Sequence, residues 1–201
     1  MKSFRNWSTA YDSYSITFYT RLTVMPNLAP NDLALIEDFV NTFDLETGEE
    51  KLPSPEALTA WLSERGLADE PLGHDDLASA VALREHLRAL LLANNGGELD
   101  PSVPAALSAA AERARLTVAL DGHGRATVTP QAQGIDRVAG RLLGIVARAQ
   151  ADGTWERLKA CPWHTCHFAF YDRSRNHSRT WCDMAVCGNR AKAQTYRRAR
   201  A

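Results

Sequence analysis

No run of about 18 apolar residues occurs in this 201-residue sequence, which excludes a membrane-spanning helix on pattern. Cysteine is missing from the first 160 positions, and all four cysteines fall between Cys161 and Cys187. No two of them are separated by two residues, which excludes the usual redox dithiol. There is no glycine-rich phosphate loop, no Ser-His-Asp order and no paired-carboxylate setting; "DGHG" reads as a turn. The chain is therefore expected not to be an enzyme. Residues 1–24 lack the continuous apolar stretch and small-residue cleavage site of a signal peptide. With Met25 of "MPNLAPNDLALIEDF" resembling a natural start, they are expected to be a disordered extension, and the protein is expected to be cytoplasmic.

Charge is scarce in sum but not in distribution. The formal net charge of −1 divides into 13 Lys/Arg against 21 Asp/Glu over residues 1–152, and 10 against 3 over residues 153–201. The body is thus −8 and the tail +7. A basic tail on an acidic body points to a polyanionic partner such as DNA, with docking of the tail on its own body as the competing reading.

The pattern of the body is mostly helical. Leu33, Ile36, Phe39, Val40 and Phe43 follow helical spacing, with Asp32 as the expected cap. "SPEALTAWLSERG" carries Ser54 as cap, Pro55 at the first helical position and Gly66 past the end. A longer helix is expected from about His74 to Ala93, a short one over "SVPAALSAAAERA", and another from about Ile135 to Ala151. Between the last two, "RLTVALDGHGRATVTP" alternates apolar and polar residues around a turn, the mark of a β-hairpin. The expected class is α+β, mostly helical with a small antiparallel hairpin. Residues 25–152 are read as one domain and 153–201 as a second, where charge and composition both shift.

The cysteines read Cys161-x4-Cys166-x15-Cys182-x4-Cys187. Two close pairs, each on a tight turn with the connector folding back as a hairpin, can converge on one point. Four thiolates at a point select tetrahedral zinc. Disulfides suit neither a reducing cytoplasm nor a chain lacking an export signal, and iron–sulfur sequences differ in spacing. A site of three thiolates and one imidazole, with His164 replacing a cysteine, stays open beside the four-cysteine site. His167, next to Cys166, points elsewhere, and His177 sits in a turn. A closed four-ligand shell makes the metal structural, one Zn2+ per chain.

"CGNRAKAQTYRRAR" reads as a helix starting at the second pair, with Arg190, Gln194, Arg197 and Arg198 on one side. Zinc modules that lay such a helix in the DNA major groove use arginines on phosphates and guanine edges. Arg190, Lys192, Arg197 and Arg198 are the candidate contacts, joined by Arg173, Arg175 and Arg179 of the connector.

The run "FYDRSRNHSRTWCDMAVCGNRAK" resembles the CGNR zinc finger, named for the tetrapeptide Cys187-Gly188-Asn189-Arg190. Phe170-Tyr171-Asp172, Ser174-Arg175-Asn176, Arg179, Trp181-Cys182 and Met184 fall in the same order, while His164 and His167 stand outside that pattern. Upstream, "EDFVNTFD", "PEALTAWLSERGL" and "ALREHLRALL" resemble the ABATE domain that precedes this finger. The resemblance implies a bacterial stress-induced transcription regulator with an ABATE-like sensor domain and a treble-clef-like finger. It implies that the finger binds double-stranded DNA, with a signal-sensing or dimerising N-terminal domain, hence a candidate small effector, protein partner or homodimer. A zinc-stabilised protein- or RNA-interaction adaptor is the alternative. The resemblance also singles out Asn41, Thr42 and Arg84, which could line an effector pocket or make caps and interhelical hydrogen bonds.

Overall fold

The computed structural model describes residues 29, 30 and 32–200, so the expectation for residues 1–24 lies outside the described residues. Helix α1 is Leu33–Val40, α2 Pro55–Ser63, α3 His74–Ala93 and α4 Ser102–Ala114. Strands β1 (Leu116–Leu120) and β2 (Ala126–Pro130) follow, then α5 (Gly134–Ala151). The chain ends in a 3-10 turn (Trp155–Arg157), strands β3 (Leu158–Ala160) and β4 (Ala169–Tyr171), a π-helical turn (Met184–Gly188) and α6 (Asn189–Arg198). Both sheets are antiparallel pairs, β1 with β2 and β3 with β4. Among the described residues no helix is long and apolar enough to cross a membrane.

Local chemistry explains most of the boundaries. Ser54 Oγ accepts the Ala57 N–H at 3.3 Å and Pro55 opens α2, while Gly66 takes a left-handed φ of 63° beyond its end. Asp32 corrects the expectation made for it: its backbone is helical, its side chain caps nothing, and its carboxylate pairs with Arg148 of α5 at 3.3 Å. Distant charge has won over the local cap.

The main core is one continuous cluster, separate from a small one around the cysteines. It joins Ile36, Phe39 and Val40 of α1, Leu58 and Leu62 of α2, Leu83, Leu87 and Leu91 of α3, and Val138, Leu142 and Ile145 of α5. Trp155, Leu158, Ala160, Ala169 and Tyr171 belong to it as well. The shift in charge at residue 153 is thus not a break in packing, since β3 and β4 are buried along their whole length against the helices.

These strands also correct the expected folding of the cysteine connector. The hairpin spans the first cysteine pair and not the gap between pairs: Cys161 donates its N–H to Phe168 O at 3.0 Å, closing the 161–168 loop at the ends of β3 and β4.

Helix α5 meets the base of the β1–β2 hairpin unusually closely at Gly140. A Cβ there would stand 2.7 Å from Pro130 Cβ, 2.8 Å from Ala114 Cβ and 3.0 Å from Leu116 Cδ2. Helix propensity alone makes Gly140→Ala stabilising by about 1 kcal/mol. Overpacking against three carbon atoms costs about 1–3 kcal/mol. The expected net result is a lower melting temperature, read by thermal unfolding, and a rise would contradict this packing.

Candidate metal centre and the basic helix it carries

The four thiols meet. Cys161, Cys166, Cys182 and Cys187 bring their Sγ atoms within 4.8 Å of one another, with Cys166–Cys182 at 3.5 Å and Cys182–Cys187 at 3.8 Å. Tetrahedral zinc with sulfur at about 2.3 Å requires sulfur–sulfur separations of about 3.8 Å, so the donor set fits one zinc ion. His164 is outside the cluster, its ring tilted over Trp163 with centroids 4.9 Å apart. His167 turns away with φ 47° and gives its carbonyl oxygen to Arg88. Among the described residues, the group that could hold a metal is thus the four cysteines, without His164.

Left to themselves, these thiols titrate as one group. Cys161 is drawn down by hydrogen bonds from Cys166, then Cys182. Those two are pushed up, Cys166 and Cys182 each first by Cys161, and Cys187 is pushed up by burial first. A divalent cation among them removes the penalty and lets all four ionise, which couples folding to metal. Cys161, Cys166 and Cys187 are buried and Cys182 half-buried, leaving little room for a substrate at the metal.

Each half of the cluster is built locally. Cys166 donates its N–H to Trp163 O at 2.8 Å, making the first turn. In the second, Asp183 Oδ1 accepts from Ala185 N (2.6 Å) and Val186 N (3.1 Å), starting the π-helical turn that places Cys187. Every residue of the CGNR tetrapeptide then has a job. Cys187 is a ligand. Gly188 is small because a Cβ would run into the Met184 side chain and Trp181. Asn189 Nδ2 donates to Ala185 O at 2.9 Å, and Arg190 forms an ion pair with Glu46 of the body at 2.6 Å.

Between the pairs the connector is pinned by Asp172, which is fully buried. Its Oδ2 accepts from Lys159 Nζ (2.8 Å) and Arg179 N (3.0 Å), and Oδ1 from Ser174 N (2.8 Å). Burial raises its pKa, but the Lys159 and Ser174 donors outweigh burial and hold it near 2. Lys159 Nζ also donates to His177 O and Arg179 O, tying the loop to β3.

The candidate DNA contacts separate into two groups. Arg179 works inside the finger: Nε donates to Trp181 O at 2.9 Å, a second nitrogen to Cys182 O, and its guanidinium lies 4.8 Å over Phe170. Arg190 is engaged with Glu46, and Arg173 lies over the Tyr171 ring at 5.7 Å. Arg175, Lys192, Arg197 and Arg198 are exposed and without an ion-pair or hydrogen-bond partner among the described residues. Helix α6 buries none of its residues.

Asn41, Thr42 and Arg84 come together, but they are spent on the protein itself. Asn41 Nδ2 donates to Ala169 O at 2.9 Å and its Oδ1 accepts from Ala169 N at 2.8 Å, so one amide reads the backbone of β4 on both sides. Arg84 donates to Thr42 Oγ1 (3.2 Å) and pairs with Glu50 (2.8 Å) and Glu85 (2.9 Å). No buried side-chain nitrogen or oxygen among the described residues is left without a partner.

Sequence reasoning missed the residues that seat the finger. Arg88 donates to His167 O (2.9 Å), Val40 O (2.8 Å) and Phe43 O (3.1 Å). Asn94 Nδ2 donates to Trp155 O and Leu158 O, and Asn95 Nδ2 to Ala160 O and Thr180 O, all at 2.7–3.0 Å. One signal was present: Arg84 and Arg88 lie on the same stripe of α3 as Leu83, Leu87 and Leu91, and arginine on an apolar stripe asks for a buried acceptor.

Compared with known families, the model described as "Putative stress-induced transcription regulator", ABATE, matches residues 33–153, and that of the CGNR zinc finger matches residues 157–200. Comparison with curated proteins gives no match.

Metal removal tests the centre. A strong chelator should release one zinc per chain and strip hydrogen-exchange protection from residues 173–200, while the 161–168 loop, closed by Cys161 N–H on Phe168 O and held by Arg88 and Asn41, keeps its own. The body helices α1, α3 and α5 should keep theirs, because their core does not include the thiol cluster. Uniform loss of protection would contradict this division.

Proposed function

Since this chain belongs to the ABATE family and ends in a CGNR zinc finger, we propose that it is a transcription regulator that binds double-stranded DNA through α6. One observation carries the reading. Helix α6 buries nothing, and Lys192, Arg197 and Arg198 project from it, with Arg175 of the connector, as cations the protein does not neutralise. A helix of ten residues gains little from its own hydrogen bonds, so a partner that packs against it adds what the body withholds. Phosphates supply that partner's charge, and base edges in a major groove accept arginine.

In this reading the zinc is structural and the protein is not an enzyme: four thiolates occupy a tetrahedral shell and no position stays open for water or substrate. The body senses a signal or dimerises, and the protein works in the cytoplasm. Arg179 and Arg190 act indirectly, the first by holding the cysteine loop and the second by fixing the start of α6 against Glu46. Phosphate contact falls to Arg175, Lys192, Arg197 and Arg198.

A protein- or RNA-binding adaptor is the second reading, favoured by the exposure of Met184 (52%), Val186 (43%) and Tyr196 (56%) on the π-helical turn and α6. Apolar docking on a protein is nearly indifferent to salt, whereas phosphate binding is not, and an RNA partner would show itself by being preferred over duplex DNA.

Titration of duplex DNA at several salt concentrations separates them. Removing two phosphate contacts with Arg197→Ala and Arg198→Ala should lower the slope of log K against log salt by about 2. Arg190→Ala should cost less affinity than that pair. Binding that is absent, or unaffected by salt, would defeat the DNA reading.

A further inference from the structure

The β1–β2 hairpin is an unfinished sheet. Its base packs on α5 at Gly140, but Val118, Leu120 and Val128 are 69%, 70% and 48% exposed. All three lie on one face, because Val118 pairs with Val128 and Leu120 with Ala126 across the ladder. Strand β1 has β2 on one side and no strand on the other among the described residues.

The hydrogen-bond phase of that free edge is fixed. Asp121 donates its N–H to Arg125 O at 3.0 Å, making 121 and 125 a hydrogen-bonded pair. Alternation along an antiparallel ladder then turns Thr117 and Ala119 toward β2 and leaves the N–H and C=O groups of Leu116, Val118 and Leu120 pointing outward. These three residues are all apolar, and the strand carries no charge between Leu116 and Leu120.

We propose that β1 pairs antiparallel with β1 of a second copy of this chain, with Val118 on the two-fold axis. Leu116 then lies opposite Leu120 of the second copy, both outward-facing, and Val118 opposite its own equivalent. The result is a four-stranded sheet in the order β2-β1-β1-β2. The same register brings Arg115, which precedes the strand in a left-handed conformation (φ 50°) and donates to Gln131 O at 2.9 Å, to the level of Asp121 of the second copy, twice by symmetry. This charge match singles out a second copy as the occupant, since a closed two-fold interface must complement itself. Arg115 and Asp121 are both exposed and flank the uncharged strand at its two ends. Edge strands that avoid association carry charge or proline along the edge, and β1 carries neither.

This inference rests on the reading that the N-terminal domain dimerises, and is independent of DNA binding. Sedimentation equilibrium of the zinc-loaded full chain should show a dimer. Val118→Lys places like charges on the axis and should raise the dimer dissociation constant by about tenfold or more, with a melting profile that matches the parent's at concentrations where both are monomeric, because the side chain is exposed in the single chain. Arg115→Glu should weaken the dimer by opposing Asp121. Adding Asp121→Asn to it should restore part of the affinity, since asparagine keeps the oxygen that accepts from His123 N and Arg125 N in the turn. A dimer insensitive to Val118→Lys would overturn this surface while leaving dimerisation standing. A monomer at every concentration would overturn both. A full chain that is monomeric but dimerises once residues 1–24 are removed would assign the edge to that segment and overturn the proposal.

Discussion

Four thiolates at one point repel each other unless a cation lies among them, and the arrangement of the C-terminal fifth of this protein follows from that constraint. Cys161 and Cys166 ride on the closed end of β3–β4, while Cys182 and Cys187 ride on a segment with little secondary structure of its own before the π-helical turn. The first pair is positioned by the protein core; the second is tethered to the body through Asp172, Lys159 and Asn95, and a metal would draw it onto the first. Helix α6 begins directly after Cys187, so its direction is set by the centre and by one ion pair, Arg190 to Glu46. An exposed ion pair of this kind adds little, so a metal at the centre would dominate the placement of α6 and the pair would trim it.

Much of this was legible in the sequence for physical reasons that can be named. The helix over His74–Ala93 announced itself by a leucine period and a glycine-rich stop, and α2 by a serine cap, a proline and a glycine. The thiol cluster was legible because metal binding demands both a ligand type and a spacing. What could not be read was every contact whose acceptor is a distant backbone carbonyl. Nothing near Asn94 or Asn95 announces that their amides will meet Trp155, Leu158, Ala160 and Thr180, since all carbonyls look alike in sequence. The same holds for Arg190: its place on a basic helix face was visible, whereas its partner in the acidic turn after α1 depended on the tertiary fold.

Docking of the basic tail on its own body accounts for some of its arginines and not for others. Arg179 and Arg190 are used internally, at the carbonyls of the second cysteine turn and at Glu46. Arg175, Lys192, Arg197 and Arg198 are not, and they lie on the connector and along α6 beyond its anchored start. A net charge of −1 hides this separation, which keeps the body's acids from neutralising the outer part of the helix.

The seam between helices and finger has a property that follows from its chemistry. Asn41, Arg88, Asn94 and Asn95 all address main-chain groups of the finger, none of them a finger side chain. A hydrogen bond of this kind contributes about 0.5–1.5 kcal/mol, and more when the donor is charged. Losing one leaves a buried polar group unpaired at a cost of about 1–3 kcal/mol, so the donors act together in fixing the path of the backbone. Such a seam specifies where the chain runs and leaves side chains of the finger free to vary. The 161–168 loop is thus held at the right place before any metal arrives, by Arg88 at His167 and Asn41 at Ala169, and the ion needs only to draw in the second pair. Half of the coordination shell is prepaid by folding of the body. That is the physical reason for a small finger to share its hairpin with a helical core instead of standing alone.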